Sequence, residues 1–150
     1  HFDMVRLGIG LHGISATHAN LQPVSSFKTY ISSIREVPEG QSIGYGRKSY
    51  TTRPSRIAVI PVGYADGLNR HLSNRVGNVF VKGKRVPIIG NICMDTCMID
   101  VTDTNATIGD EVEIFGKHIL VTELSKQLGT IPYEILTGIS HRVKRVYYKE

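Results

Sequence analysis

The chain has 150 residues, 41% of them hydrophobic and 21% charged, and a net charge of +5 from 18 Lys and Arg against 13 Asp and Glu. That balance describes a globular chain with material for one domain, or for one domain plus a fragment of another, and excludes collagen, coiled-coil and low-complexity classes. No apolar run approaches the roughly 20 residues that span a bilayer, and the opening His1-Phe2-Asp3-Met4-Val5-Arg6 lacks a signal layout. A soluble, cytoplasmic protein is expected, and the absence of Met at position 1 adds the expectation of a chain cut from a longer one.

Residues 4–11 read as a buried strand, and residues 15–23 as polar, turn-rich linker. A boundary is therefore expected, with 1–14 belonging to a domain mostly absent from the chain, 15–23 as linker and 24–150 as a β-rich domain. Residues 24–37 interleave Phe27, Tyr30, Ile31, Ile34 and Val37 with Ser, Thr and Lys, and Pro38-Glu39-Gly40 closes that segment as a turn. Residues 56–64 (RIAVIPVGY) are almost continuously apolar, as in a strand buried on both faces, although Pro61 demands a bulge or an edge. Residues 76–89 split around Lys82-Gly83-Lys84 into a hairpin, and strands follow at 97–101, 111–115 and 118–121. Helical signals come late: Thr122 can cap a helix over 123–128 that ends at Gly129, and Pro132 suits the first position of another that stops at Gly138. Residues 142–148 (RVKRVYY) alternate as a last strand. The pattern predicts a mainly β fold, a small barrel or sandwich-like domain with two short helices.

Several motifs carry chemistry or resemble it. Gly8-Ile9-Gly10-Leu11-His12-Gly13 spells the G-x-G-x-x-G of a dinucleotide turn, but no amphipathic helix follows to receive a pyrophosphate; a phosphate held by the backbone amides of Gly8 and Ile9 stays open without one. Arg6 cannot shed its proton, so it needs partners if buried and otherwise sits at a rim in water. Gly63-Tyr64-Ala65-Asp66-Gly67 is a sharp turn carrying a tyrosine, and Asn91-Ile92-Cys93-Met94-Asp95-Thr96-Cys97 is more polar than a core strand. Cys93 and Cys97, with three residues between them, read as reduced thiols, and the six histidines show no metal-ligand spacing. The run His141-Arg142-Val143-Lys144-Arg145 is a basic strand that reads as a solvated face, with an enzyme residue or a nucleic-acid patch as the alternatives. From the residues alone the chain is a basic, mostly β domain with a candidate anion site. A basic β-barrel that binds nucleic acid is the alternative, although the adjacent Tyr147 and Tyr148 would point to opposite faces of a strand and make a poor stacking platform.

Taken in order, Asp3-Met4-Val5-Arg6 with Gly8-Ile9, Tyr45-Gly46, Gly63-Tyr64-Ala65-Asp66-Gly67, Ile92-Cys93-Met94-Asp95, Gly109-Asp110 and Tyr133-Glu134-Ile135-Leu136-Thr137 resemble the C-terminal part of bacterial alanine racemases over essentially the whole chain. The resemblance implies an N-terminal (β/α)8 barrel followed by a β-rich domain, with residues 4–11 as the last barrel strand. It implies interconversion of L- and D-alanine by two bases on opposite faces of a substrate bound to pyridoxal phosphate. One base would be the barrel lysine that holds the cofactor, upstream of this chain, so the 150 residues alone are expected to be inactive. The other, by the resemblance, would be Tyr64, assisted by positive charge because a phenol with a pKa near 10 is a poor base at neutral pH.

Arg6 would donate to the cofactor's pyridine nitrogen, and the backbone of Gly8 and Ile9 would meet its phosphate. The Met94 backbone N–H would meet the substrate carboxylate, with Asp95 shaping the pocket beside it. A homodimer with the site shared between subunits is implied. His141 departs from the pattern, since a tyrosine often stands there to bond the cofactor phosphate, but histidine can donate the same bond. No nucleic-acid, membrane or metal partner is implied.

Overall fold

The computed structural model describes residues 3–15 and 21–148. Among them the alternating and apolar runs become nine strands: β1 (Phe27–Tyr30), β2 (Ser33–Val37), β3 (Ser42–Ile43), β4 (Ser49–Tyr50), β5 (Ser55–Ile60), β6 (Asn78–Val81), β7 (Lys84–Ile89), β8 (Cys97–Asp100) and β9 (Glu111–Phe115). Seven form one antiparallel sheet in the order β1-β9-β6-β7-β8-β5-β2, and β3 and β4 pair as a separate small hairpin. Two helices follow, α1 (Val121–Gln127) and α2 (Pro132–Thr137).

The expected single segment over 24–37 is two strands, and the break explains the shape of the sheet. β1 pairs with β9 and β2 with β5, so consecutive strands occupy opposite edges of the seven-stranded sheet. Only Ile31 and Ser32 connect them, a reach of about 3.5 Å per residue. The two edges must therefore meet at one corner, and the sheet curls into a half-barrel. At that corner the Ile31 N–H donates to the Asp110 carbonyl, its own carbonyl accepts from Gly109, and Ser32 N–H donates to Val59. Ile31 is fully buried there. The inside of the curl is filled by β-branched residues, among them Ile60, Val79, Val81, Ile88, Ile99, Val101 and Val112, each contributing about 1.5–3 kcal/mol by burial. β5 is buried at four of its six positions, as its apolar run predicts, and it ends at Ile60, so Pro61 stands outside the ladder.

Several expectations are corrected. Residues 4–11 are not a strand: residues 3–8 belong to no ladder and Ile9–His12 is a single 3₁₀ turn ending at Gly13. A strand exists only beside a hydrogen-bonded neighbour, and no strand of this chain lies there, which leaves Met4, Val5 and Leu7 each about 70% exposed. Residues 118–121 bend instead of pairing, because Gly116 N–H closes a turn on the Ile119 carbonyl and Val121 already begins α1. Thr122 is not the cap of α1. Leu120 holds that position without a side-chain bond, and the packing of Val121 and Leu124 into the core sets where the helix starts. Residues 142–148 form no strand, since Arg145 folds back onto the carbonyls of Ile139, Ser140 and Val143. The expected 15–23 linker falls largely outside the described residues. Pro132 does open α2, and Gly138 ends it.

Candidate active-site cavity

Leaving β5, the chain passes Pro61 and Val62 to Gly63, where it crosses the segment before β8. A Cβ on Gly63 would lie 2.3 Å from the carbonyl oxygens of both Cys93 and Met94, so only glycine permits the crossing. The next two amides complete the junction: Tyr64 N–H donates to Cys93 O and Ala65 N–H to Met94 O, each at 3.0 Å. Tyr64–Asp66 is one 3₁₀ turn closed by Gly67, whose φ of +108° suits glycine. Asp66 accepts from the Gly63 N–H at 2.8 Å with one carboxylate oxygen and from Arg142 Nε at 2.7 Å with the other.

The same guanidinium donates through its second arm to Asp95 at 2.7 Å. These hydrogen bonds, to Asp66 first and Asp95 second, hold Arg142 still further above the ordinary arginine range. The loop over 91–96 is closed by Cys93 N–H donating to Thr96 O. Buried Asn91 donates to the Tyr45 carbonyl at 2.7 Å and accepts from Asn74 at 3.1 Å, and the Ile92 N–H donates to Ser73 Oγ. Tyr45 thereby sits fixed at the tip of the β3–β4 hairpin, in a turn where Gly44, Gly46 and Arg47 all have positive φ.

Tyr45, Tyr64, Arg70, Cys93, Met94 and Asp95 line one open cavity of about 520 Å3. Both phenols are solvent-facing, Tyr45 at 77% exposure and Tyr64 at 44%. Both thiols are free. Cys97, on β8, is buried and its thiol is pushed up to about 12 by that burial.

Of the residues singled out from the sequence, Tyr64, Met94 and Asp95 come together in this cavity. His141 is exposed and immediately precedes Arg142, the residue that binds Asp66 and Asp95. Arg6, Gly8 and Ile9 do not line the cavity. They belong to the N-terminal segment packed on α2, where the open side of Gly8 faces the Tyr133 hydroxyl and the His12 ring meets Tyr133 edge-on. Arg6 is exposed, and among the described residues its guanidinium has no ion pair or hydrogen bond. An exposed guanidinium two residues before the exposed glycine backbone at Gly8 is a donor set that suits an anionic ligand. Three contributors were not assigned from the sequence. Arg142 was hidden in a basic run, Asp66 in a turn motif, and Tyr45 stood in a motif of the family resemblance without a role.

A curled β-domain that presents two phenols beside a backbone-anchored Cys-Met-Asp loop also has close counterparts. The family described as alanine racemase, C-terminal domain, matches residues 24–147. Alanine racemase 2 of Caldanaerobacter subterraneus is 51% identical over 157 residues, covering 98% of this chain and 40% of the relative. The alanine racemase of Methanococcus maripaludis is 45% identical, covering 98% of this chain and 42% of its own length. Among solved structures, alanine racemase from Streptomyces coelicolor superposes with a TM-score of 0.91 at 35% identity, covering 100% of this chain and 42% of that one. The Bartonella henselae alanine racemase, with covalently bound pyridoxal phosphate, gives 0.89 at 38% identity, covering 94% and 40%. The chain thus spans about two-fifths of the length of the relatives it matches. With the match running through the cavity residues as well as the fold, the chain belongs to the alanine racemase family, as its C-terminal β-domain.

Proposed function

We propose that this domain contributes one of the two proton-transferring groups of a racemase that interconverts L- and D-alanine, working as a cytoplasmic homodimer. The observation that carries the proposal is the open cavity itself, where the Gly63 junction and the Asn91 anchor set two phenols, Tyr64 and Tyr45, beside the Met94–Asp95 backbone. Pyridoxal phosphate, when bound, supplies the electron delocalisation that makes the Cα–H of an amino acid acidic enough to exchange. The residues here fit that group as holders of its anionic parts. Arg6 would donate to its ring nitrogen, and the backbone of Gly8 and Ile9 together with His141 would donate to its phosphate. The Met94 N–H is the donor for the substrate carboxylate, and Asp95, held by Arg142, walls the pocket beside it. The cavity's exposed face, with Tyr45 and Met94 outermost, suits closure by the barrel of a second subunit that carries the cofactor lysine.

The expectation from the sequence gives the proton transfer to Tyr64. A second reading gives it to Tyr45, and the geometry favours it. A base that must reach a substrate held on another surface has to protrude, and Tyr45 is the more exposed phenol, on a turn held in left-handed backbone by the Asn91 anchor. Tyr64 then lines the approach. In the racemase carrying this domain, Tyr45→Phe is expected to lower Cα-proton exchange in deuterated water by about 10²-fold or more, the usual worth of a positioned acid–base group. The loss should fall more heavily on one enantiomer than on the other, because each base serves one face. Tyr64→Phe is expected to lose less. The reverse order restores Tyr64 to the proton transfer, and equal losses from L- and D-alanine for both variants refute the two-base assignment.

A further inference from the structure

Arg142 bonds two of the segments that build the cavity while standing in a third. Its Nε binds Asp66, which closes the Tyr64 turn through Gly63 N–H, and its Nη2 binds Asp95, next to Met94. Its own segment is independently fixed: the Ser140 N–H donates to the Asp66 carbonyl, and Arg145 gathers the carbonyls of Ile139, Ser140 and Val143. His141 therefore lies between two anchored residues. An ordinary surface ion pair contributes little, because water and salt screen it and two long side chains must be ordered. The Asp66 limb differs. The Asp66 side chain is only 13% exposed against 59% for Asp95, so removing its cation leaves a largely buried carboxylate with the Gly63 amide as its remaining partner.

We propose that Arg142 is a positioning residue that locks the Tyr64 turn, the Met94–Asp95 loop and His141 into one register, so that the substrate-carboxylate donor and the phosphate donor are set by the same fork. The proposal rests on the racemase reading above. A planar guanidinium reaches two carboxylates in fixed directions, and a lysine ammonium on a flexible stem does not.

The test is Arg142→Gln and Arg142→Lys in the full racemase, with steady-state kinetics on both enantiomers and backbone hydrogen exchange by mass spectrometry. For Arg142→Gln, KM for alanine is expected to rise about tenfold, with a smaller fall in kcat, because binding groups are loosened while the reacting phenol is kept. Exchange is expected to quicken together at 63–67, 92–96 and 139–143, and Arg142→Lys should fall between wild type and Gln. Unchanged KM, full rescue by Lys, or faster exchange confined to 139–143 overturns the proposal. If Arg142→Gln does not fold, Asp95→Asn cuts only the exposed limb: faster exchange at 92–96 with a raised KM supports the role, and no change in either refutes it. Should the wild-type protein fail to racemise alanine, the racemase reading falls, and the exchange pattern alone decides whether Arg142 couples the three segments.

Discussion

The cavity depends on a few residues whose backbone has no alternative. Gly63 is the strictest, because its φ and ψ of −140° and −165° are open to any residue and the constraint is purely one of space. The atoms in the way are main-chain carbonyls 2.3 Å from where a Cβ would stand, which cannot rotate aside as a side chain would. Gly63→Ala must therefore separate the Tyr64 turn from the Met94 loop. A destabilisation of about 1–3 kcal/mol is expected, the usual cost of overpacking a tight site, read as a lower midpoint in urea unfolding. The two junction hydrogen bonds should be lost with it, appearing as faster exchange at the Tyr64 and Ala65 amides. An unchanged midpoint would mean that the crossing has slack that this geometry does not show.

At the scale of elements, the sequence displayed what periodicity and punctuation encode and hid what depends on neighbours. β5, the β6–β7 hairpin, β8, β9 and the opening of α2 at Pro132 were legible because apolar runs bounded by Gly, Pro or Asp leave few choices. The misread segments, 4–11, 118–121 and 142–148, each have a strand-like pattern but no partner strand, and a pattern cannot report whether an edge is available. In the cavity, Tyr64, Met94 and Asp95 stand in motifs that could be read, whereas Arg142 acts across 76 and 47 residues of chain on Asp66 and Asp95, a contact that no spacing reveals.

The bend at 118–121 also holds a pH-sensitive element. Burial alone would raise the Glu113 carboxyl, but hydrogen bonds from the His118 ring, the His118 N–H and the Ile119 N–H outweigh it and hold the group below the ordinary value of 4.5. The His118 ring in turn stacks flat on Phe80 at 3.8 Å. A carboxyl depressed in the folded state stabilises above its unfolded pKa, and that contribution is lost as pH falls through the folded value. Urea midpoints should therefore drop as pH falls below the ordinary carboxyl value of 4.5, and Glu113→Gln should be less stable at neutral pH and flatter over that acid range. Parallel pH profiles would assign the acid loss to other carboxylates.

For the whole molecule, the decisive fact is that two strands adjacent in sequence hold opposite edges of one sheet. Curl, and with it the relation between the β1–β9 side and the β5–β8 side that carries the cavity loops, is imposed through a corner two residues long. Ile31 fills that corner with its side chain wholly buried, and both of its backbone groups are bonded to the 109–110 turn. Ile31→Ala keeps the backbone bonds but leaves a void where the two edges converge, and the fixed corner gives the surroundings little freedom to collapse into it. The cost should lie in the upper part of the about 2–5 kcal/mol seen when a buried aliphatic is cut to alanine. Ile31→Val, which removes one methylene, should cost about 0.5–1.5 kcal/mol. Because the corner governs the curl rather than any one loop, Ile31→Ala should quicken hydrogen exchange in β1 and β2 together, at both edges of the sheet. A loss confined to β1 would show that the edges are held independently and that the curl is set by strand twist alone.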